Sequence, residues 1–547
     1  MQKKTLKFHP VKIRIMKTSA FKILTLLAML PCSALQAKEI RNPVIWADIP
    51  DTSLMRAGNT YYMSSTTMHM VPGVPVMKSE NLVDWQMCGY ACKYLSDKSE
   101  MNLEGGKNAY GQGTWASSMR FHKGTFYVST FSYTTGKTHI YSTKDPSSGK
   151  WEEKSFSPAL HDGSLFFDDD GKVYMVYGGG NIRLRELNED LSGVKEGGVD
   201  KIIIKDAQSI TGTTKGLPAE GSQMFKANGK YYHFSICWPP TTGMRTALVY
   251  RADNIEGPYE GRIAIKDKGV AQGGIVNTPD GKWYGLFFRD SGAVGRVPYL
   301  VPMKWEDGWP VFGTGGEVPM VLEMDAKQNS VPEVVAFSDE FNRGKNNADF
   351  LPLQWQWNHN PNNDFWSLSK RKGFLRLETF RLDEDFTQAR NTLTQRAFGP
   401  KSSAQTCIDT SKMKDGDVAG LGLLQRKYAT IEVKMLGGKK FIATRQVSKS
   451  GDKNGQDEFI ETTPVPLKSK LVYFKADCDF ENQKDTANFY YSLNGKNWTK
   501  LGGEFKMAYT LPHFMGYRFA LFNYATKEVG GYADFDFFRV SDNLEGK

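Results

Sequence analysis

The stretch Glu220-Gly-Ser-Gln-Met-Phe-Lys-Ala-Asn-Gly-Lys-Tyr-Tyr232 decides the fold of this chain. It reads as a short apolar run, an Asn-Gly turn and a β-rich aromatic run, which is a β-hairpin. Four other segments repeat its second half: Asn59-Thr-Tyr-Tyr62, Gly124-Thr-Phe-Tyr127, Gly171-Lys-Val-Tyr174 and Gly281-Lys-Trp-Tyr284. The five final tyrosines lie 65, 47, 58 and 52 residues apart. A four-stranded unit fits that period, and long helical runs are absent, so the repeat predicts an all-β, five-bladed propeller over residues 40–325. Ser79-Glu-Asn-Leu-Val-Asp-Trp85 and Ala252-Asp-Asn-Ile-Glu-Gly-Pro-Tyr259 read as outer-strand pieces.

Eleven or twelve residues before each final tyrosine stand Asp51, Ala116, Asp162, Glu220 and Gln272. The context recurs as Asp51-Thr-Ser53, Ala116-Ser-Ser118, Asp162-Gly-Ser164, Glu220-Gly-Ser222 and Gln272-Gly-Gly274, each expected to open the first strand of its hairpin. Innermost strands line a propeller's axis, so these five positions are expected to ring one funnel. Three of them are carboxylates, and like charges gathered in one place cost stability unless a function uses them. Asp168-Asp-Asp-Gly171 and Pro279-Asp-Gly281 fall on hairpin tips and read as solvated turns.

Beyond residue 325 the repeat stops. Ala326-Lys-Gln-Asn-Ser-Val-Pro332 reads as a linker within 326–333. About 210 residues of short alternating strands follow, predicting a β-sandwich of jelly-roll type over 334–543. The linker is too short for a roaming domain, so the sandwich is expected to pack on the propeller and bring a loop to its rim. Trp355, Trp357 and Trp366 read as core.

Residues 1–37 read as an export signal: a basic start, the apolar run Ile23 to Leu30, and Ala34-Leu-Gln-Ala37 before the cut. Met16 onward is itself a complete signal of ordinary length. Pro31 before Cys32 does not fit a lipoprotein anchor. The expected location is periplasmic or extracellular. Seven basic residues of the +10 formal charge lie in this segment, leaving the rest near neutral, without a nucleic-acid footprint. No membrane-spanning segment is read. The five later cysteines, Cys88, Cys92, Cys237, Cys407 and Cys478, are odd in number and read as buried thiols. Gly451-Asp-Lys-Asn-Gly-Gln-Asp457 lacks calcium-loop spacing and reads as a polar turn.

Glycosidic bond hydrolysis needs a proton donor for the leaving oxygen and a base or nucleophile opposite it. Converging carboxylates meet that need. No zinc-protease, nucleophile-elbow or phosphate-loop motif competes. Here the motifs are specific. Asp48-Ile-Pro-Asp51-Thr-Ser-Leu-Met-Arg56, His161-Asp162-Gly-Ser-Leu-Phe-Phe, Pro218-Ala-Glu220-Gly-Ser-Gln-Met-Phe225 and Gly295-Arg296-Val-Pro298 followed by Trp305-Glu-Asp-Gly-Trp309 resemble those of glycoside hydrolase family 43. The last 210 residues resemble the concanavalin-like sandwich attached to many members, through Phe337-Ser-Asp-Glu-Phe341, Trp355-Gln-Trp-Asn-His-Asn-Pro361, Ala389-Arg-Asn-Thr-Leu-Thr-Gln-Arg396 and Asp415-Gly-Asp-Val-Ala-Gly-Leu421.

The resemblance implies an inverting, exo-acting hydrolase of plant polysaccharide or oligosaccharide. Asp51 is then the general base, Glu220 the general acid, and Asp162 the carboxylate that keeps Glu220 protonated and oriented. Arg296, Gln272 and Trp115 are then substrate-binding residues. The expected activity is α-L-arabinofuranosidase, the alternative β-xylosidase, and the non-enzymatic reading a carbohydrate-binding propeller that has lost catalysis. No cofactor is required; a structural calcium near Glu340 and Asp536 is an expectation for the sandwich. The chain departs from the family at Thr52, where members often have proline. It departs again at Gln272, near which members often carry a histidine associated with an axial metal or water.

Overall fold

The computed structural model describes residues 38–328, 334–344, 350–449 and 457–544. The expected export segment, the linker residues 329–333 and the runs 345–349 and 450–456 lie outside the described residues.

The opening hairpin forms as strands Leu217–Ala227 and Lys230–Trp238. Asn228 and Gly229 at its tip have φ of 49° and 74°, the backbone a two-residue hairpin turn requires. Lys123 and Gly124, at 46° and 74°, do the same one repeat earlier. Five antiparallel four-stranded sheets result. Their first strands are Ser53–Ala57, Ser118–His122, Ser164–Phe167, Leu217–Ala227 and Ala271–Asn277. Each first strand packs against the next, and the fifth returns to the first, so these five surround the axis. The final tyrosines pair across the hairpin with Met55, Arg120, Phe166, Phe225 and Val276.

The recurring serine of the repeat ties the ring together. Inner strands have one edge without a ladder, and a buried N–H left bare costs about 1–3 kcal/mol. Ser53 Oγ accepts from Met119 N at 2.9 Å, Ser118 Oγ from Leu165 N at 3.2 Å, and Ser164 Oγ from Met224 N at 2.9 Å. Each of these three serines thus satisfies an amide of the following blade, whereas Ser222 of the fourth lies 3.1 Å from His233 Nε2 of its own blade. In the fifth blade the position is Gly274, where a Cβ would press on Leu54 N at 3.3 Å. The strand Lys38–Arg41 pairs with Val321–Met324, fastening the start of the propeller to its end.

Asp168 is not the solvated turn residue expected. It is buried, accepts from the Tyr231 hydroxyl at 2.8 and 2.9 Å and pairs with Lys226 at 3.0 Å. The Asp168 N–H bonds Lys172 O, closing the loop at its base and leaving the carboxylate free to link the third blade to the fourth.

The second domain stacks a nine-stranded sheet on a seven-stranded one. Trp355 and Trp357 are buried and Trp366 packs 5.0 Å from Trp357, so all three serve the core. The short strand Met70–Val71, from the first blade, pairs with Gln356–Asn358 and forms the edge of the nine-stranded sheet. The two domains therefore share a sheet. The five later cysteines are free and buried. No helix among the described residues is long and apolar enough to cross a membrane.

Candidate active site

The five repeat positions differ in how they meet their strands. Asp51 and Asp162 stand two residues ahead of theirs, but Glu220 and Gln272 sit inside theirs, beside register irregularities at Glu220 and between Ala271 and Gly273. The expectation that each residue opens its strand is corrected accordingly. A bulge re-aims the side chain without ending the strand. Asp51, Asp162 and Gln272 have φ of 53°, 49° and 51°, and in the fourth blade Gly221 has φ of 70°. Left-handed backbone in a non-glycine residue costs of order 1–3 kcal/mol and clusters at functional sites. A side chain at Gly221 would displace Gln272, since a Cβ would lie 2.6 Å from Gln272 Cδ. Gln272 is thus packed on the backbone beside Glu220. Ala116 is buried and offers no polar group.

The carboxylates meet in two sets. In the first, His161 Nε2 lies 3.2 Å from Glu220 Oε2 and 3.8 Å from Asp162 Oδ2. Gly221 N donates to Asp162 Oδ2 at 2.8 Å, and the Tyr133 hydroxyl contacts His161 Nδ1 at 2.9 Å. In the second, Arg296 Nη1 donates to Asp51 Oδ1 at 2.9 Å, with both groups buried. Arg296 Nε lies 3.6 Å from Asp290, which also accepts from Arg245 Nε at 2.5 Å.

Burial raises the Asp51 carboxyl, and Arg296 and Arg245 oppose that rise. Burial raises Asp162 as well; His161 opposes it, while Glu220 and Asp51 add to it. Burial lowers His161, but its bond to Glu220 and the charges of Asp162, Glu220 and Asp51 outweigh this and leave it raised. Two sets of carboxyl groups with different cationic partners, a permanent guanidinium for one and a titratable imidazole for the other, suit an acid–base division of labour. The ligating atoms of His161, Asp162 and Glu220 lie within 4.8 Å of one another. That trio could share a cation, and as hydrogen-bonded neighbours it suits proton transfer equally.

The sandwich completes the mouth. Phe514, itself at φ 53°, lies 5.4 Å from Trp115 and faces the Arg296 guanidinium at 4.7 Å. Phe288 takes the guanidinium's other contact at 5.0 Å. Asp48 fastens this loop: its Oδ1 accepts from Arg296 N at 2.8 Å and its Oδ2 from Gly516 N at 2.9 Å. Burial raises the Asp48 carboxyl, and those two backbone bonds oppose the rise. Gly516 allows the approach, since a Cβ there would lie 2.1 Å from Val294 O.

Of the residues named from sequence, Asp51, Asp162, Glu220, Arg296, Gln272 and Trp115 come together here. Trp115 joins a cluster with Phe131, Tyr133 and His161. Of the pair expected near a structural calcium, Glu340 is held by Arg539 at 2.6 and 2.8 Å, and neither it nor Asp536 belongs to a group of three side-chain ligands among the described residues. His161, Asp48, Asp290, Arg245 and Phe514 carry no assigned role in the sequence reading. His161 and Asp48 lie within its quoted motifs, beside residues that were assigned. Nothing local marks Phe514, whose place depends on another domain.

The profile described as "Glycosyl hydrolases family 43" matches residues 40–310, and that described as "Beta xylosidase C-terminal Concanavalin A-like domain" matches 338–541. A solved structure described as a bifunctional GH43-CE protein of Bacteroides eggerthii superposes at TM-score 0.89 and 54% identity, over 93% of this chain; the chain spans 64% of that protein's length. A Formosa agariphila protein named beta-xylosidase is 27% identical over 562 residues, 91% of this chain and 89% of the relative. A Bacteroides ovatus protein named non-reducing end alpha-L-arabinofuranosidase is 26% identical over 432 residues, 74% of this chain and 78% of the relative. With a five-bladed propeller, a concanavalin-like sandwich and carboxylates gathered at the mouth, the chain belongs to glycosyl hydrolases family 43 and is a glycoside hydrolase.

Proposed function

We propose that the protein removes a terminal β-D-xylosyl residue from xylan-derived chains with inversion. The carrying observation is the separation of carboxyl groups into an Arg296-bound Asp51 and a His161-linked Asp162–Glu220 pair. Asp51, held as a carboxylate by the guanidinium, takes a proton from the attacking water. Glu220, partly exposed beside His161, delivers a proton to the leaving oxygen. Asp162, pinned by Gly221 N, orients that donor. Inversion needs room for a water between base and substrate, so the Asp51 and Glu220 carboxyls belong roughly 6.5–9.5 Å apart. Arg296 and Gln272 bind sugar hydroxyls, and Trp115 and Phe514 wall the terminal sugar. A mouth with the sandwich loop along one side favours chain ends over chain interiors.

The Formosa agariphila relative and the matched C-terminal domain favour xylose, reversing the order in which the two activities were expected. The Bacteroides ovatus relative supports the second reading, α-L-arabinofuranose. The test is turnover of 4-nitrophenyl β-D-xylopyranoside and α-L-arabinofuranoside side by side, with the first sugar released identified by NMR. The expected result is faster xylose release, appearing first as the α-anomer. Faster arabinose release selects the second reading, and β-xylose appearing first overturns inversion.

A further inference from the structure

The inner strands that begin at the carboxylates end at a second cavity, on the opposite mouth of the axis. It measures about 390 Å³ and is lined by all five of them. Asp51 at the first mouth and Arg56 at the second lie on one chain segment, five residues and therefore about 16 Å apart.

Two guanidiniums face this cavity. Arg120 donates to Met119 O at 2.7 Å, Ser164 Oγ at 2.7 Å and Met224 O at 3.0 Å. Arg56 donates to Gly58 O at 2.6 Å and Asn277 Oδ1 at 3.2 Å, and its buried Nε has no partner. Every one of these acceptors is neutral. The acid on the lining, Asp169, is 2.9 Å from Lys226, which Asp168 shares at 3.0 Å, and neither acid forms an ion pair with Arg56 or Arg120. Cations withdrawn from water without an anion are costly. Burial lowers Arg120 to about 10, which leaves it charged at neutral pH. Linking three blades explains the Arg120 bonds, but not a second uncompensated guanidinium on the same cavity.

The walls are aromatic. Phe225 lies under Arg120 at 5.4 Å, and Phe121, Phe167 and Trp283 complete the lining. Phe121 is 44% exposed at the rim. A guanidinium fork suits a carboxylate, and flat apolar walls suit a flat apolar body. We propose that this far mouth binds a small aromatic carboxylate, independently of the hydrolytic site.

The test is calorimetric titration of the whole chain with benzoate and 4-hydroxycinnamate, against benzamide and inorganic phosphate. The carboxylates are expected to bind saturably and the other two not. Arg56→Gln and Arg120→Met should each weaken binding about ten- to a hundredfold, the worth of a hydrogen bond to a charged group. Hydrolysis of the nitrophenyl glycoside should be unchanged in Arg56→Gln. Should Arg120→Met fail to fold, Arg56→Gln decides alone. Equal binding of benzamide, equal binding of phosphate, no saturation, or undiminished binding by Arg56→Gln each overturns the proposal.

Discussion

At the propeller mouth, Asp51, Asp162 and Glu220 have Arg296 or His161 within 2.9 to 3.8 Å. At the seam between the domains, His69, His359 and His513 are fully buried and have no such partners. His513 stacks on Tyr110 at 3.9 Å, and His69 lies 4.7 Å from His359. Burial drives His69 down to about 3, and drives His359 and His513 well below their usual range. The charges that act on these three are cations, Arg518, Arg381, Arg390 and Arg426, which lower them further. The same desolvation is opposed by counter-charge at the mouth and reinforced by like charge at the seam. Titratable side chains are chemistry in the first place and flat packing plates in the second.

The largest expected effect separates the two regions by activity. Asp51→Asn and Glu220→Gln should each lower kcat about 10²–10⁴-fold; Glu220→Gln should leave the melting temperature unchanged or higher, whereas Asp51→Asn, which takes the closest carboxylate from the buried Arg296 guanidinium, should lower it. A dinitrophenyl glycoside should restore most of the rate to Glu220→Ala and none to Asp51→Ala. Equal losses on good and poor leaving groups would mean that Glu220 is not the acid.

Next comes the counter-charge. Arg296 holds the Asp51 carboxyl down against burial, so Arg296→Met should raise it further. An arginine neighbour is worth about 1–3 pH units. The acid limb of the kcat/KM profile should move up by that amount, whatever happens to the rate. An unmoved limb would show that Asp51 does not titrate in that limb.

Asp48 belongs to both regions, since it pins the sandwich loop to the strand that carries Arg296. Asp48→Asn places an amide nitrogen against one of two backbone N–H groups. It should cost about 1–3 kcal/mol of stability and raise KM as Phe514 and Arg296 loosen. Unchanged denaturant midpoint and KM together would remove Asp48 from this role.

The smallest effect concerns the seam. A histidine whose folded pKa is depressed contributes its full stability above the unfolded value of about 6.5, and loses it as pH falls toward the folded one. For His69 that window runs down to about 3. Each pH unit within it should cost up to about 1.4 kcal/mol per histidine. His69→Phe should melt like the parent at pH 7.5 and above it at pH 5. Parallel pH curves for the two would mean that the seam histidines are not held neutral.

The sequence by itself determined the propeller, because a hairpin repeated five times carries its own period and its turn residues set φ locally. It also placed Asp51, Asp162 and Glu220 at equivalent points of that repeat, which in a closed ring converge. Asp168 was misread because a turn's composition is local, whereas the Lys226 and Tyr231 that bury its carboxylate belong to the next blade. What only the tertiary structure decided is everything made across the seam. Met70–Val71 joins the sandwich sheet, Phe514 faces Arg296, and Asp48 holds Gly516 over a separation of 468 residues. These contacts leave no period or spacing in the chain. They exist because two domains, each folded by its own pattern, bury a common surface, and that surface is where the site is closed.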